Sequence, residues 1–284
     1  MGLIKYNIEK YPPLQLMSIP LVLLVVSLLL LGLNIAATGM PVTPGIDFAG
    51  GYSYSIITTQ SDDQIRAVFT DYPLVVIKEG PTGKQLQFGP MEQAERDSLD
   101  ALVGSTYPQH EPIAGIDATF GKNNQAMAVL ALIISFIGMS VVVFISFRTF
   151  VPSMAVVLSA FADMVMTAAV MDIVGIQLTL GTTAALLMLI GYSVDSDILL
   201  TTRVLKRQGK LSDKLAGAFQ TGIIMTSTTF VAVTAMFIVS YFGGVEIMWQ
   251  ISAVLLIGLA VDVLNTWLTN AAILKWYVQK GGGR

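Results

Sequence analysis

The sequence predicts a multi-span α-helical membrane protein: six transmembrane helices with one extracytoplasmic α+β ferredoxin-like domain. Three observations point there. Only 12% of the 284 residues are charged, where a soluble domain carries about 25%, and the mean hydropathy is +0.70. Six apolar stretches, at about 14–37, 124–147, 151–173, 177–201, 217–242 and 246–276, each reach the roughly 20 residues a helix needs to cross a hydrocarbon core about 30 Å thick. A single long polar stretch, 38–122, separates the first from the rest.

The first span follows Lys5 and Lys10. Its apolar run is longer than the roughly 7–15 residues of a signal-peptide core, so it is expected to be a retained span. The insert then offers alternating elements. GIDFAGGYSYSIITT reads as a strand rich in Ile, Tyr and Thr. Ser61 and Gln64 have capping-box spacing ahead of the helix DDQIRAVFTDY. PLVVIKEG and KQLQFG flank the turn GPTG as a hairpin. Met91, Ala94, Leu99, Leu102 and Val103 have helical spacing, and HEPIAGIDATFG reads as a last strand. The order β-α-β-β-α-β is the ferredoxin-like one.

The insert holds 11 of the 19 acidic residues but 5 of the 16 Lys/Arg, a net charge of −6. The other 11 Lys/Arg all fall on one side when six spans are threaded in order. The positive-inside rule then expects both termini in the cytoplasm, residues 38–122 outside, helices two to six within 124–276, and a cytoplasmic tail at 277–284. The absence of cysteine excludes disulfides and thiol chemistry, and His110 is the single histidine. No zinc set, nucleotide-binding glycine loop or nucleophile–base pair is visible, so neither an enzyme, a cofactor, a metal nor a nucleic-acid partner is expected.

Acidic residues inside the spans carry the functional expectation, because an ionised carboxylate in a bilayer is costly unless paired, hydrated or protonated. Asp163 lies 11 residues past Pro152, about 16 Å along the third span. There it either relays protons or bonds a neighbouring helix as a protonated carboxyl. In the fourth span, Gly181, Ala184, Ala185, Met188, Gly191, Tyr192 and Asp195 follow spacings of three and four. Small residues let helices approach closely, so Asp195 is expected to point into the bundle. Asp197 lies about 200° round the helix and is expected to reach the cytoplasmic interface or pair with Arg203. Asp262, followed by Asn265 and Thr266, lies midway along the sixth span, and Asp172 and Glu246 read as solvated helix ends. The proton-relay candidates are therefore Asp195, Asp197, Asp163 and Asp262. Tyr192, Ser193, Ser196, Arg203, Thr221, Thr226 and Thr228 are the supporting polar groups, as hydroxyls can relay protons or bond across helices.

At these residues the chain resembles the SecF family of protein-export membrane proteins, over nearly its whole length. GIDFAGG, with Gly45, Asp47, Gly50 and Gly51, resembles the family motif after span one. FAD ending at Asp163, LLMLIGYSVDSDILLTTRV, and ISAVLLIGLAVDVLNTW resemble its third, fourth and last spans. The resemblance implies an RND-like half that works with a SecD-like partner, beside a SecYEG-type protein-conducting channel, on exported polypeptides in the lipid of the cytoplasmic membrane. Proton flow is the energy source it implies. The family's span-four Asn-Asp is Asp195-Ser196 here, its second aspartate is Thr202, and an expected arginine is Thr221, while Arg203 keeps its place; these departures resemble the archaeal branch. The alternatives are an RND-type small-molecule or lipid exporter subunit and an uncoupled membrane scaffold. A single six-span unit with about 85 external residues weighs against the exporter.

Overall fold

The computed structural model describes residues 11–80 and 83–281. Its order is α1 (Pro13–Thr38), α2 (Ile46–Ala49), β1 (Gly51–Ile56), α3 (Asp62–Val68), β2 (Leu74–Gly80), β3 (Gly83–Phe88), α4 (Gln93–Thr106), β4 (His110–Ile116), α5 (Ala118–Phe147), α6 (Phe150–Ile173), α7 (Leu180–Lys206), α8 (Leu211–Phe242) and α9 (Glu246–Leu264). A π-helical turn, Asn265–Asn270, carries α9 into α10 (Ala271–Gln279). Among the described residues six helical segments are long and apolar enough to cross a membrane, with α9, the π turn and α10 forming the sixth.

Helix ends follow backbone capping rather than hydropathy. The Asp117 side chain accepts from Thr119 N at 2.7 Å, so α5 starts well ahead of the apolar run at 124. Likewise α8 starts at Leu211, just past Gly209 at φ 118°, and carries its polar first turns beyond the apolar stretch. In the bundle α6, α7 and α9 form the buried centre, and α1, α5 and α8 expose most of their apolar surface. Gly258 sets the α7–α9 approach: a Cβ there would stand 2.6 Å from the Leu189 side chain.

The insert is a four-stranded antiparallel sheet in the order β2-β3-β1-β4 with α3 and α4 on one face. Tyr54, Ile56, Leu86 and Phe88 from the strands meet Ile65, Phe69, Leu99 and Val103 from the helices in its core. The capping box forms as its spacing predicts: Ser61 N donates to Gln64 Oε1 at 3.0 Å, and Gln64 N to Ser61 Oγ at 3.4 Å. One expectation is corrected. The strand does not start at Gly45; residues 46–49 are helical, and Gly50 (φ 76°) and Gly51 (φ 119°) turn the chain into β1. The hairpin pairs Gly80 with Gly83; Pro81 and Thr82 of the expected turn lie outside the described residues, as do Lys5, Lys10 and Arg284.

GIDFAGG seats the insert on the membrane helices. Gly45 N donates to Leu178 O at 2.8 Å and Leu178 N to Thr43 O at 2.9 Å. Asp47 Oδ2 accepts from Leu180 N at 2.9 Å, at the first turn of α7. The Asn124 and Gln125 side chains of α5 donate to Asp47 O and Phe48 O. Asp172 and Glu246, half-buried at their helix ends, also have protein partners: Asp172 Oδ1 accepts from Thr43 N and Oγ1 at 3.0 and 2.9 Å, and Glu246 Oε1 lies 3.6 Å from Lys78 Nζ. Lys78 stands on the sheet face away from α3 and α4 and also donates to Gln177 Oε1 at 2.8 Å. Burial pulls its ammonium below the ordinary lysine range, with Glu246 opposing.

The Asp47 contact yields a prediction. Asp47→Ala strips an N-terminal amide of α7 of its acceptor, which costs roughly 0.5–2 kcal/mol at such positions. A lowered thermal midpoint of the purified protein in detergent is the expected result; an unchanged midpoint would mean that solvent replaces the carboxylate without cost.

Candidate functional site

The fourth span buries the face that carries Thr182, Leu186, Leu189, Ser193, Ser196, Asp197 and Leu200. These positions recur at three and four residues, so they form one stripe of a 3.6-residue helix. The stripe turns Ser193, Ser196 and Asp197 toward α6 and the sixth span. Asp163 meets them from α6, and Asp262, Asn265, Thr266 and Asn270 from the sixth span; all are buried.

Two linked groups result. Asp163 accepts from Ser193 Oγ on one oxygen and from Asn265 Nδ2, at 2.6 Å, on the other. Asp197 Oδ1 accepts from Asn270 Nδ2 at 2.7 Å and lies 2.9 Å from Thr266 Oγ1. The same Thr266 oxygen lies 3.1 Å from Asp262 Oδ1. Ser196 Oγ is 3.2 Å from both oxygens of Asp262 and from Thr266 Oγ1. Asp197 Oδ2 has no hydrogen bond among the described residues. None of the three carboxylates makes an ion pair among them either.

The hydroxyls decide what this arrangement can do. A threonine hydroxyl has one hydrogen to donate and lone pairs to accept with. Thr266 Oγ1 touches a carboxylate oxygen on each side, yet it satisfies only one of them as donor. The other contact is favourable only when that carboxyl itself carries a proton and donates to Thr266. Asp197 and Asp262, no more than about 6 Å apart through this bridge, would as two anions repel by about 3 kcal/mol at an effective dielectric near 20.

The π turn builds the far wall. Five residues along an α-helix are about 140° apart, which would point Asn265 and Asn270 in different directions. The i→i+5 ladder of a π-helix, seen as Ala271 N bonding Thr266 O, brings positions five apart close to one face. Both amides therefore reach carboxylates, Asn265 at Asp163 and Asn270 at Asp197.

Several sequence expectations are corrected. Asp195 does not point into the bundle; with Ala184, Met188, Gly191 and Tyr192 it lies on the exposed side of α7. The stripe that shares these spacings is split: Ala185 is buried inside the chain, while Ala184 and Gly191 stay open beside Met188 and Tyr192. Asp197 reaches neither the interface nor Arg203, being fully buried. Arg203 instead donates to Gly217 O at 2.6 Å and to Thr221 Oγ1 at 2.7 Å, tying the end of α7 to α8. Thr228 bonds its own helix at Met225 O and is exposed, and Thr226 is half-buried on α8; neither touches the carboxylates. Asn270 is not among the residues the sequence singles out, because α-helical spacing gives no reason to group it with Asn265; its one sequence signal is that it ends a run of amide and hydroxyl side chains, Asn265, Thr266, Thr269 and Asn270, in an apolar span.

Residues 100–280 match the family described as protein export membrane protein SecD/SecF, C-terminal. The protein-export membrane protein SecF of Methanolacinia petrolearia is 52% identical over 282 residues, covering 99% of this chain and 100% of that one. The chain belongs to the SecF family. The SecF of Pyrococcus furiosus is 36% identical over 285 residues, with 96% of this SecF-family chain and 93% of the relative covered. The crystal structure of SecDF from Thermus thermophilus, a translocon-associated membrane protein, superposes with a TM-score of 0.78 at 18% identity over 98% of the chain. SecDF in a super-membrane-facing form gives 0.59 at 19% identity over 95%. Both likenesses concern the fold. The chain spans 39% of the length of each solved SecDF chain.

Proposed function

We propose that this SecF-family chain is an accessory subunit of the Sec protein-export machinery that works with a SecD-like partner and draws on proton flow. Family membership supports the export role, since its relatives are named protein-export membrane proteins. The SecD-like partner is supported by the fold likeness to SecDF. The exposed α7 face with Ala184, Met188, Gly191, Tyr192 and Asp195 offers a surface for it, where Ala184 and Gly191 admit a second helix closely. The Lys/Arg distribution supports cytoplasmic termini and an external insert. The protein-conducting channel and exported chains are the further partners of this role.

The observation that carries proton coupling is Thr266 Oγ1 held between Asp197 and Asp262. One shared proton satisfies both contacts, and a shift of α9 against α7 changes which carboxyl holds it. The small-molecule exporter reading has less support, because the insert is a single four-stranded domain.

Affinity purification of the tagged chain from its native membrane tests the partner. Co-elution of a second six-span protein at about equal amount is expected. A monodisperse single chain that moves a dye across proteoliposomes would instead favour the exporter.

A further inference from the structure

The outer flank of α5 carries a groove unrelated to the carboxylates. It has a volume of about 610 Å³ and runs along α5 from Lys122 to Ile133, walled by Phe48 and Leu178. Along α5 its floor is Lys122, Ala126, Val129 and Ile133, whose spacings of four, three and four make one helical stripe. Below Lys122 that stripe is purely apolar. Its side walls belong to the GIDFAGG segment and the lead-in to α7, which the junction hydrogen bonds hold in place.

Two features select an occupant. The first is length: Lys122 and Ile133 are eleven residues apart, about 16 Å on a helix, and one leaflet of hydrocarbon is about 15 Å deep. The groove therefore runs from the headgroup level to the bilayer midplane. The second is charge. Lys122 is exposed at the mouth, and no ion pair involving it occurs among the described residues. A lysine at this level presents its ammonium to the interface while its stem covers apolar surface, and basic groups at that depth attract anionic headgroups.

We propose that the groove is a binding site for one anionic phospholipid of the leaflet on the insert's side, its phosphate at Lys122 and one acyl chain along Ala126, Val129 and Ile133. The site does not depend on the export reading. A lipid seated there fills the angle between α5 and the insert junction, so it ties the most exposed span to the segment that carries Asp47.

Native mass spectrometry of the purified chain in detergent tests this, with phosphatidylglycerol and phosphatidylcholine of identical chains added in turn. The expected result is one retained phosphatidylglycerol, held at least about fivefold over phosphatidylcholine. Lys122→Glu abolishes the preference and Lys122→Arg keeps it. Ala126→Trp, or Val129→Trp should the first fold poorly, reduces retention of both lipids. Millimolar glycerol 3-phosphate, the headgroup without chains, does not compete. Equal retention of the two lipids overturns the proposal, as does unchanged preference in Lys122→Glu. Unchanged retention in both tryptophan variants, or displacement by glycerol 3-phosphate, overturns it as well, by reducing the contact to a surface ion pair. A photocrosslinker at Val129 should label lipid in native membranes; labelling of a polypeptide instead would give the groove to a protein partner.

Discussion

Asp197→Asn is expected to lower export of a secreted reporter by about tenfold or more, in cells carrying only the variant, with the abundance of the protein within about twofold of normal. Asparagine matches aspartate in volume. Its carbonyl oxygen can still accept from Asn270 and Thr266, which both address Oδ1. The new NH₂ falls where Oδ2 makes no hydrogen bond. The fold therefore tolerates the change, but the site loses a group that can take up and release a proton. Asp163→Asn should behave differently. Both of its oxygens already accept, from Ser193 and Asn265, so an amide there can hold Asn265 only by turning its NH₂ onto Ser193 Oγ, which must then accept, and a buried hydrogen bond to a carboxyl is exchanged for a weaker neutral one. A drop in protein level is the expected outcome. Asp195→Asn, on the exposed face, should change export by less than about twofold. Normal export with Asp197→Asn would end the relay reading and leave the cluster as interhelical packing; a large loss with Asp195→Asn would shift the proton chemistry to the partner interface.

Gly51→Ala should unfold the insert. A Cβ at this position would stand 2.1 Å from Phe88 O, a backbone atom of the paired strand that cannot move without breaking the sheet. The backbone is also at φ 119°, where an L side chain is strained. Clash and strain together are worth about 3 kcal/mol or more, a large share of what a domain this small has to spare. The expected readout is a trypsin cut within 51–116 that the wild-type protein resists. Gly138→Ala serves as the control. Nothing lies within 4 Å of that position and it sits inside a helix, so its effect should be small and favourable. A protease-resistant Gly51→Ala insert would mean that β1 and β3 separate more readily than their register suggests.

The capping box and the strand and helix order of the insert were legible because they depend on neighbours a few residues apart. Burial of Asp163 and Asp262 was legible too, since an acidic residue at mid-span has no water within side-chain reach. The choice between Asp195 and Asp197 was not. The small-residue stripe ending at Asp195 and the stripe holding Asp197 both satisfy helical spacing. Sequence gives no sign of whether a close-packing face is used by a helix of the same chain or kept for another protein. The role of Asp47 was equally hidden, because its contact with Leu180 joins positions more than a hundred residues apart.

The residues themselves determined the six spans, the α+β insert and the segregation of basic charge, because each rests on local hydropathy, spacing or composition. Only the tertiary structure decided which carboxylates meet. That outcome depends on the rotation of each helix about its axis and on a π turn that offsets the sixth span. A rotation of about 200°, two residues' worth, exchanges the buried Asp197 for the exposed Asp195 while leaving the hydropathy of the span untouched.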